Sequence, residues 1–206
     1  MKVVFYFDPI CPFSWITSRW LLQISPHRDV EIAWRPFSLA LKNDELADTA
    51  SSSHYPSHRL LRVMLAAERD YSVPMIDSYT ASGLLHHVMK TPYDDTGLAQ
   101  ILSSLDLPAS LIAYADDSTL DTALQQSLDQ AIAVVGDDVG VPTIVFELPD
   151  DSNQGYFGPV LNTLPELSES LDIWDGLTKL ATTSSFCELK RTRPSGDPDT
   201  ASTAKC

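Results

Sequence analysis

A chain of 206 residues that is 44% hydrophobic carries enough apolar side chain to bury a core as one domain, or as one domain with a sizeable insertion. Its 14 Lys and Arg stand against 28 Asp and Glu, a net charge of −14, which repels phosphate backbones and anionic membrane surfaces and argues against nucleic acid or a membrane as partner. The first apolar stretch runs into Asp8 and Pro9 with no small-residue cleavage pattern behind it, so it does not read as a signal peptide, and no later stretch reaches the length of a membrane span. Cys11, Cys187 and Cys206, the three cysteines, are odd in number and far apart, which fits a reducing cytoplasm. The expected assembly is a monomer or a homodimer.

Val3 to Phe7 is an apolar run that reads as a buried strand. It empties through Asp8-Pro9-Ile10 into Cys11-Pro12-Phe13-Ser14-Trp15, where Pro12 suits a first helical position. Trp15, Ile16, Arg19, Trp20 and Leu22 to Ile24 continue a helical stripe that Ser25-Pro26 is expected to end. Val30, Ile32 and Trp34 alternate with Glu31, Ala33 and Arg35, a second strand that Pro36 closes or demotes to an edge. Strand, helix and parallel strand make a right-handed crossover.

Asn43 to Ser57 is polar and loop-like. Helical patterns follow over Arg59 to Tyr71, Pro74 to Lys90, Thr96 to Ser104 and Pro108 to Ala115. Ser118 with Asp121 starts a further amphipathic helix whose apolar face carries Leu120, Leu124, Leu128, Ala131 and Val135, and Gly136 stops it. Strand character returns at Pro142 to Phe146 and again at Tyr156-Phe157, a hairpin. A last helix covers roughly Leu164 to Ala181, and the Pro-, Gly- and Ser-containing stretch 194–206 reads as a disordered tail.

A crossover unit, a long helical segment, a hairpin and a closing helix give an α/β protein with a thioredoxin fold and a helical insertion. The core comprises 1–42 and 117–193, and the insertion 43–116. The same order of elements is open to other α/β arrangements.

Cys11 sits where a strand gives way to a helix. There unpaired backbone N–H groups and the positive end of the helix dipole favour thiolate over thiol. The bland alternative is a buried cysteine acting as a small hydrophobe. Gly140-Val141-Pro142-Thr143 leads into the third strand and is a candidate cis-proline loop, in which Pro142 withholds a donor from the sulfur while Val141 offers N–H and C=O to an extended substrate. Ser14 lies one turn past Cys11, where its hydroxyl can donate to the thiolate. With no cysteine at position 14, a mixed disulfide on Cys11 must be resolved by a second, small thiol, a monothiol turnover. His87, near the end of a helix, is a candidate proton relay to a leaving thiolate, and His86 reads as a helix-terminal residue. His54 and His58 have a spacing that suits a metal on a helix, but Pro56 between them argues against it, so no metal site is expected. Cys187 reads as structural, and Cys206 as part of the tail. Lys190, Arg191 and Arg193 are expected to form salt bridges on the fold or to attract an anionic thiol cofactor.

The runs FDPICPFSWITSRWLL, SLALKN at 38 to 43, YTASGLLHH at 79 to 87, VGVPTIVF at 139 to 146, FGPVL at 157 to 161 and FCELKRTR at 186 to 193 resemble the actinobacterial DsbA-like mycothiol-dependent nitroreductase family. The resemblance spans nearly the whole chain and implies a DsbA-like thioredoxin fold with a helical insertion and cytoplasmic thiol-disulfide chemistry fed by mycothiol. It carries over Cys11 as nucleophile, Trp15 as adjacent wall, and Val141 and Pro142 as the substrate-pairing loop. Asn43 and His87 carry over as polar residues facing the cleft. With Pro12, Phe13 and Thr143 these complete the expected site. Where the family's reductases have Cys-Pro-Trp-Cys, this chain has Phe13 and Ser14.

The leading expectation is a monothiol oxidoreductase acting on a small-molecule disulfide or electrophile. A second reading, which resembles the kappa-class transferases and chromene-carboxylate isomerases, has Ser14 and the helix N-terminus activate a bound cofactor thiol of the mycothiol or glutathione type. A third is a peptide-binding module with a redox-sensing cysteine.

Overall fold

The computed structural model describes all residues except 149, 151, 205 and 206. Four strands, β1 (Lys2–Phe7), β2 (Glu31–Pro36), β3 (Thr143–Glu147) and β4 (Asn153–Phe157), form one sheet in the order β2-β1-β3-β4. β1 pairs parallel with β2 and antiparallel with β3, with Phe5 opposite both Trp34 and Ile144. The hairpin continues with β4, where Ile144 faces Tyr156. Pro36 ends an edge strand, where its missing N–H leaves no gap in the ladder.

The period of two splits β1 between two cores. Val3, Phe5 and Phe7 enter the large cluster with Trp15, Trp20 and Tyr79, while Tyr6 faces the other way onto Val145, Leu128 and Ala131. Helix α1 (Pro12–Arg28) packs on the first face beside α7 (Leu167–Ala181), with Trp20 and Trp174 in ring contact at 5.9 Å. Helix α6 (Asp121–Val135) covers the second face, and Gly136 ends it with φ +89, a left-handed conformation that suits glycine.

Helix α1 runs four residues beyond Ile24, through Pro26, which was expected to end it. Pro26 cannot supply the N–H that Leu22 O would receive, and the Ser25 hydroxyl donates to that carbonyl instead, at 3.3 Å. The helix stops at Asp29, which takes a left-handed conformation and donates its N–H to Ser25 O.

Between β2 and α6 lie α2 (Leu39–Lys42), α3 (Tyr55–Tyr71), α4 (Met75–Gly83), α5 (Asp95–Ser104) and several tighter turns. α3 starts within the stretch expected to be loop, because Pro56 occupies its first turn, where no N–H is needed. α4 passes at Gly83 into a single π turn, Leu84–Val88. The segment expected at 108 to 115 is a 3-10 helix, Ala109–Asp116.

The stretch 194–206 was expected to be a disordered tail, and among its described residues it is not one. A 3-10 turn, Thr200–Thr203, buries Thr200 and Thr203. Asp199 N donates to Asn162 O at 2.7 Å, and Leu164 N donates to Ser202 Oγ at 3.0 Å. Its polar side chains are spent on hydrogen bonds to the folded body. Cys206 lies outside the described residues.

Among the described residues no helix is long and apolar enough to cross a membrane.

Candidate active site

The apolar run of β1 ends at Asp8, a carboxylate with no exposed surface. Its two oxygens accept from Ile10 N at 3.1 Å and Leu39 N at 2.8 Å, and its carbonyl accepts from Cys11 N at 3.0 Å. This fixes the turn that delivers Cys11 to the N-cap of α1, with Pro12 in the first turn. Leu39 N is presented by α2, which Ser38 caps by accepting from Leu41 N at 3.2 Å. Ser38 shares a 2.8 Å hydrogen bond with His58 Nδ1, and His58 Nε2 lies 3.0 Å from Asp121. Ser38 and His58 have no exposed surface, so with Asp121 they brace the loop from within the fold.

Cys11 is partly buried and carries no disulfide. Across from it the Val141-Pro142 peptide is cis, and the Cys11 thiol donates to Val141 O at 3.6 Å. Thr143 holds this loop by donating from Oγ1 to Gly140 O at 2.7 Å. Ser14 is fully buried, and its hydroxyl makes no well-directed hydrogen bond among the described residues. It nevertheless acts on the sulfur. The Ser14 side chain is the strongest of the influences lowering the thiol pKa, followed by the backbone N–H groups of Ser14 and Phe13.

The expectation of a thiolate held by the helix mouth is corrected on balance. Burial pushes the Cys11 thiol above its ordinary value, the charge of Asp8 adds to that, and the lowering donors do not overcome it. The Val141 carbonyl, an acceptor for the neutral thiol, works in the same direction. A thiol so raised rests protonated, with the Ser14 side chain and the backbone N–H groups of Ser14 and Phe13 acting to favour the anion.

Trp15 is fully buried and does not line an open cleft. Its ring lies beneath the Arg19 guanidinium, 4.2 Å from the centroid, edge-on to Tyr79 and stacked with His87. Its Nε1 donates to Thr203 Oγ1 at 2.8 Å. A Cβ at Gly83 would lie 2.2 Å from Trp15 Cε3, so only glycine admits this ring. Phe13 lies beneath the Arg193 guanidinium at 4.9 Å.

His87 donates from Nε2 to Pro9 O at 2.8 Å, beside the loop that carries Cys11. Burial, then the neighbouring His86, holds its pKa down to about 3. His87 is therefore neutral at physiological pH, and its fixed hydrogen bond positions the loop. Asn43 is exposed and donates to Glu45 Oε1 at 3.2 Å, tied to its own loop. His54 also bonds Glu45, at 2.7 Å. Cys187 is exposed and free. No group of His, Cys, Asp or Glu arranged to hold a metal exists among the described residues.

Sequence reasoning missed Asp8, Thr200 and Thr203. Asp8 left a signal, a carboxylate closing an otherwise apolar strand. Thr203 left none, being 188 residues from the Trp15 it serves.

Several known proteins resemble this chain in fold or in sequence. The cytosolic disulfide reductase DsbM from Pseudomonas aeruginosa superposes with a TM-score of 0.59 at 13% identity, over 87% of this chain and all of its own. A thioredoxin-like oxidoreductase from Silicibacter pomeroyi gives 0.51 at 19% identity, over 86% of each chain. In sequence, the uncharacterized protein Rv2286c of Mycobacterium tuberculosis is 29% identical over 205 residues, 95% of this chain and 84% of that protein. Residues 10–191 match the family described as Rv2466c-like, after the mycothiol-dependent nitroreductase Rv2466c. With that match across most of its length and a DsbA-like thioredoxin fold around Cys11, the chain belongs to the Rv2466c-like family, described by its mycothiol-dependent nitroreductase.

Proposed function

We propose that the protein is a monothiol oxidoreductase in which Cys11 forms a mixed disulfide that a low-molecular-weight thiol resolves. The observation that carries this reading is the buried Ser14, which places a hydroxyl where a resolving thiol would stand. The Cys11 thiolate attacks one sulfur of a disulfide, RSSR. The new bond is Cys11–S–S–R, and RS⁻ leaves and collects the proton that Cys11 gave up. A second thiol, R′SH, then attacks the R sulfur, giving RSSR′ and restoring Cys11. The net reaction, RSSR + R′SH → RSSR′ + RSH, is an exchange that leaves one disulfide and returns the protein unchanged; a second R′SH acting on RSSR′ would complete the two-electron reduction.

Mycothiol as R′SH follows from the family, and a DsbM structure with GSH supports a small-thiol site in this fold. The donors of Ser14 and Phe13 come fully into use as the sulfur becomes an anion, which eases the first step without holding the resting thiol ionised. The three cysteines and the small-thiol chemistry fit a reducing cytoplasm.

Oxidised mycothiol incubated with the protein should add one mycothiol mass at Cys11, in wild type and in Cys187→Ser but not in Cys11→Ser. Absence of the adduct in wild type overturns the proposal.

A second reading is favoured by the raised pKa of Cys11. In a transferase or isomerase of the kappa type, Ser14 and the helix N-terminus would activate a bound cofactor thiol and Cys11 would form no mixed disulfide. Cys11→Ser separates the two: retained turnover selects the transferase, and lost turnover the redox reading.

A further inference from the structure

Residues 193–203 return to the site from the far end of the chain and are fastened at two places. At the distal end Asp199 N bonds Asn162 O, and Ser202 Oγ receives Leu164 N. Asp199 Oδ1 also receives Ser202 N at 3.2 Å, closing the turn. At the site Thr203 Oγ1 receives Trp15 Nε1, and Thr200 Oγ1 donates to His87 O at 2.8 Å and receives Lys90 Nζ at 3.3 Å. Arg193 lies over the Phe13 ring. Apart from Lys90, just past the π turn, the partners at the site lie on α1, in the cysteine motif, or on the π turn that touches Pro9.

Between this segment and the mouth of α1 is a cavity of about 260 Å³, bounded by Ile10, Pro12 and His87 on one side and by Asp197, Pro198 and Thr200 on the other. It is the size of part of a small ligand. A polypeptide carrying a disulfide needs a groove that stays open on both sides of the scissile sulfurs, because extended chain must enter and leave. Here Asp197, Pro198 and Thr200 face Pro12 across the cavity and Arg193 lies over Phe13, so this segment covers the two residues that follow Cys11.

We propose that this carboxy-terminal segment is the specificity wall of the thiol site, admitting small-molecule disulfides to Cys11 and excluding protein disulfides. The inference rests on the oxidoreductase reading above and names the substrate class for it. The wall acts by occupancy, since the polypeptide flanks of a protein substrate compete with residues 193–203 for one surface. Loosening the distal fastening, which touches neither Cys11 nor the cavity, should admit them.

The test measures the second-order rate of Cys11 mixed-disulfide formation, by mass, with oxidised mycothiol and with insulin as the protein disulfide. The full chain is compared with Asp199→Ala/Ser202→Ala and with Asp199→Asn, which keeps an acceptor for Ser202 N. In wild type, insulin should react at least about 100-fold more slowly than oxidised mycothiol. The double variant should raise the insulin rate by at least about tenfold, the effect of losing a single hydrogen bond worth about one factor of ten. Its oxidised-mycothiol rate should move less than about threefold, and Asp199→Asn should behave as wild type. Hydrogen exchange on the full-length proteins should show faster exchange of the amides of 199–203 in the double variant alone. Should the double variant fail to fold, Ser202→Ala alone carries the comparison. Equal wild-type rates for the two disulfides, or a ratio unchanged in the variants, overturns the wall and leaves the oxidoreductase reading standing. A wild type that forms no adduct with either disulfide overturns the oxidoreductase reading itself.

Discussion

The neutrality of His87 can be read from stability alone. Its side chain is 4% exposed and its pKa is held to about 3, chiefly by burial. In the unfolded chain a histidine titrates near about 6.5. Below that pH the unfolded state binds a proton that the folded state refuses until about pH 3. The folded state therefore loses stability as pH falls through this window and is unaffected above it. Between pH 7.5 and 5 the uptake by the unfolded chain is worth about 2 kcal/mol, since each pH unit below the unfolded pKa costs about 1.4 kcal/mol. His87→Gln keeps an N–H for Pro9 O and removes the proton site. With urea unfolding slopes of about 2 kcal/mol/M, the wild-type midpoint should fall about 1 M further than that of His87→Gln over the same pH change. His58 and His86 are also held down by burial, but they fall equally in both proteins, so the difference isolates His87. Equal pH dependence in the two proteins would refute the reasoning, and with it the claim that this imidazole positions the loop as a neutral donor.

Gly83→Ala should destabilise by about 3 kcal/mol, from overpacking against a ring 2.2 Å away and from loss of the Trp15 to Thr203 bond. Thermal unfolding should show roughly 10 °C of loss, and under about 2 °C would mean Trp15 is free to move. Ser14→Ala removes the strongest influence lowering the Cys11 thiol. The thiolate absorbance should appear at higher pH and iodoacetamide should react more slowly at fixed pH, and an unchanged titration sinks the role. Asp8→Asn should do the opposite to the sulfur, because a charge that raises the thiol is gone. It should also cost about 1–3 kcal/mol, as an amide cannot accept from both Ile10 N and Leu39 N. A protein less stable and yet faster with iodoacetamide is the expected combination, and slower alkylation would refute it.

The strands, the main helices and the pairing of Cys11 with Val141-Pro142 were legible because each rests on local pattern: a buried run, a helix-starting proline, a glycine before a strand. The rest depended on partners remote in sequence. Pro26 reads as a stop until Ser25 is seen to supply the missing donor to Leu22 O. The stretch after Arg193 has a disordered composition, and composition cannot register that a buried indole N–H needs an acceptor and finds it in Thr203. The sign of the Cys11 shift was hidden for the same reason. The helix mouth and Ser14 are visible in the motif, whereas the burial that outweighs them comes from the whole fold.

That sign bears on how a site with one thiol works. A dithiol site clears an unwanted adduct from within, because its second sulfur attacks the first. Ser14 carries no thiol to do this, so under the proposed monothiol reading an adduct on Cys11 waits for a thiol from solution. An exposed, fully ionised Cys11 would be alkylated or oxidised by whatever arrived first, since susceptibility follows thiolate character and access. Under the proposed reading, a thiol kept protonated by burial and by Val141 O, with groups of Ser14 and Phe13 that favour the anion beside it, reacts where a bound disulfide takes the electrons as the proton leaves. Burial and the anion-stabilising donors thus do separate jobs. One suppresses the idle thiolate, and the other lowers the barrier once a substrate is seated.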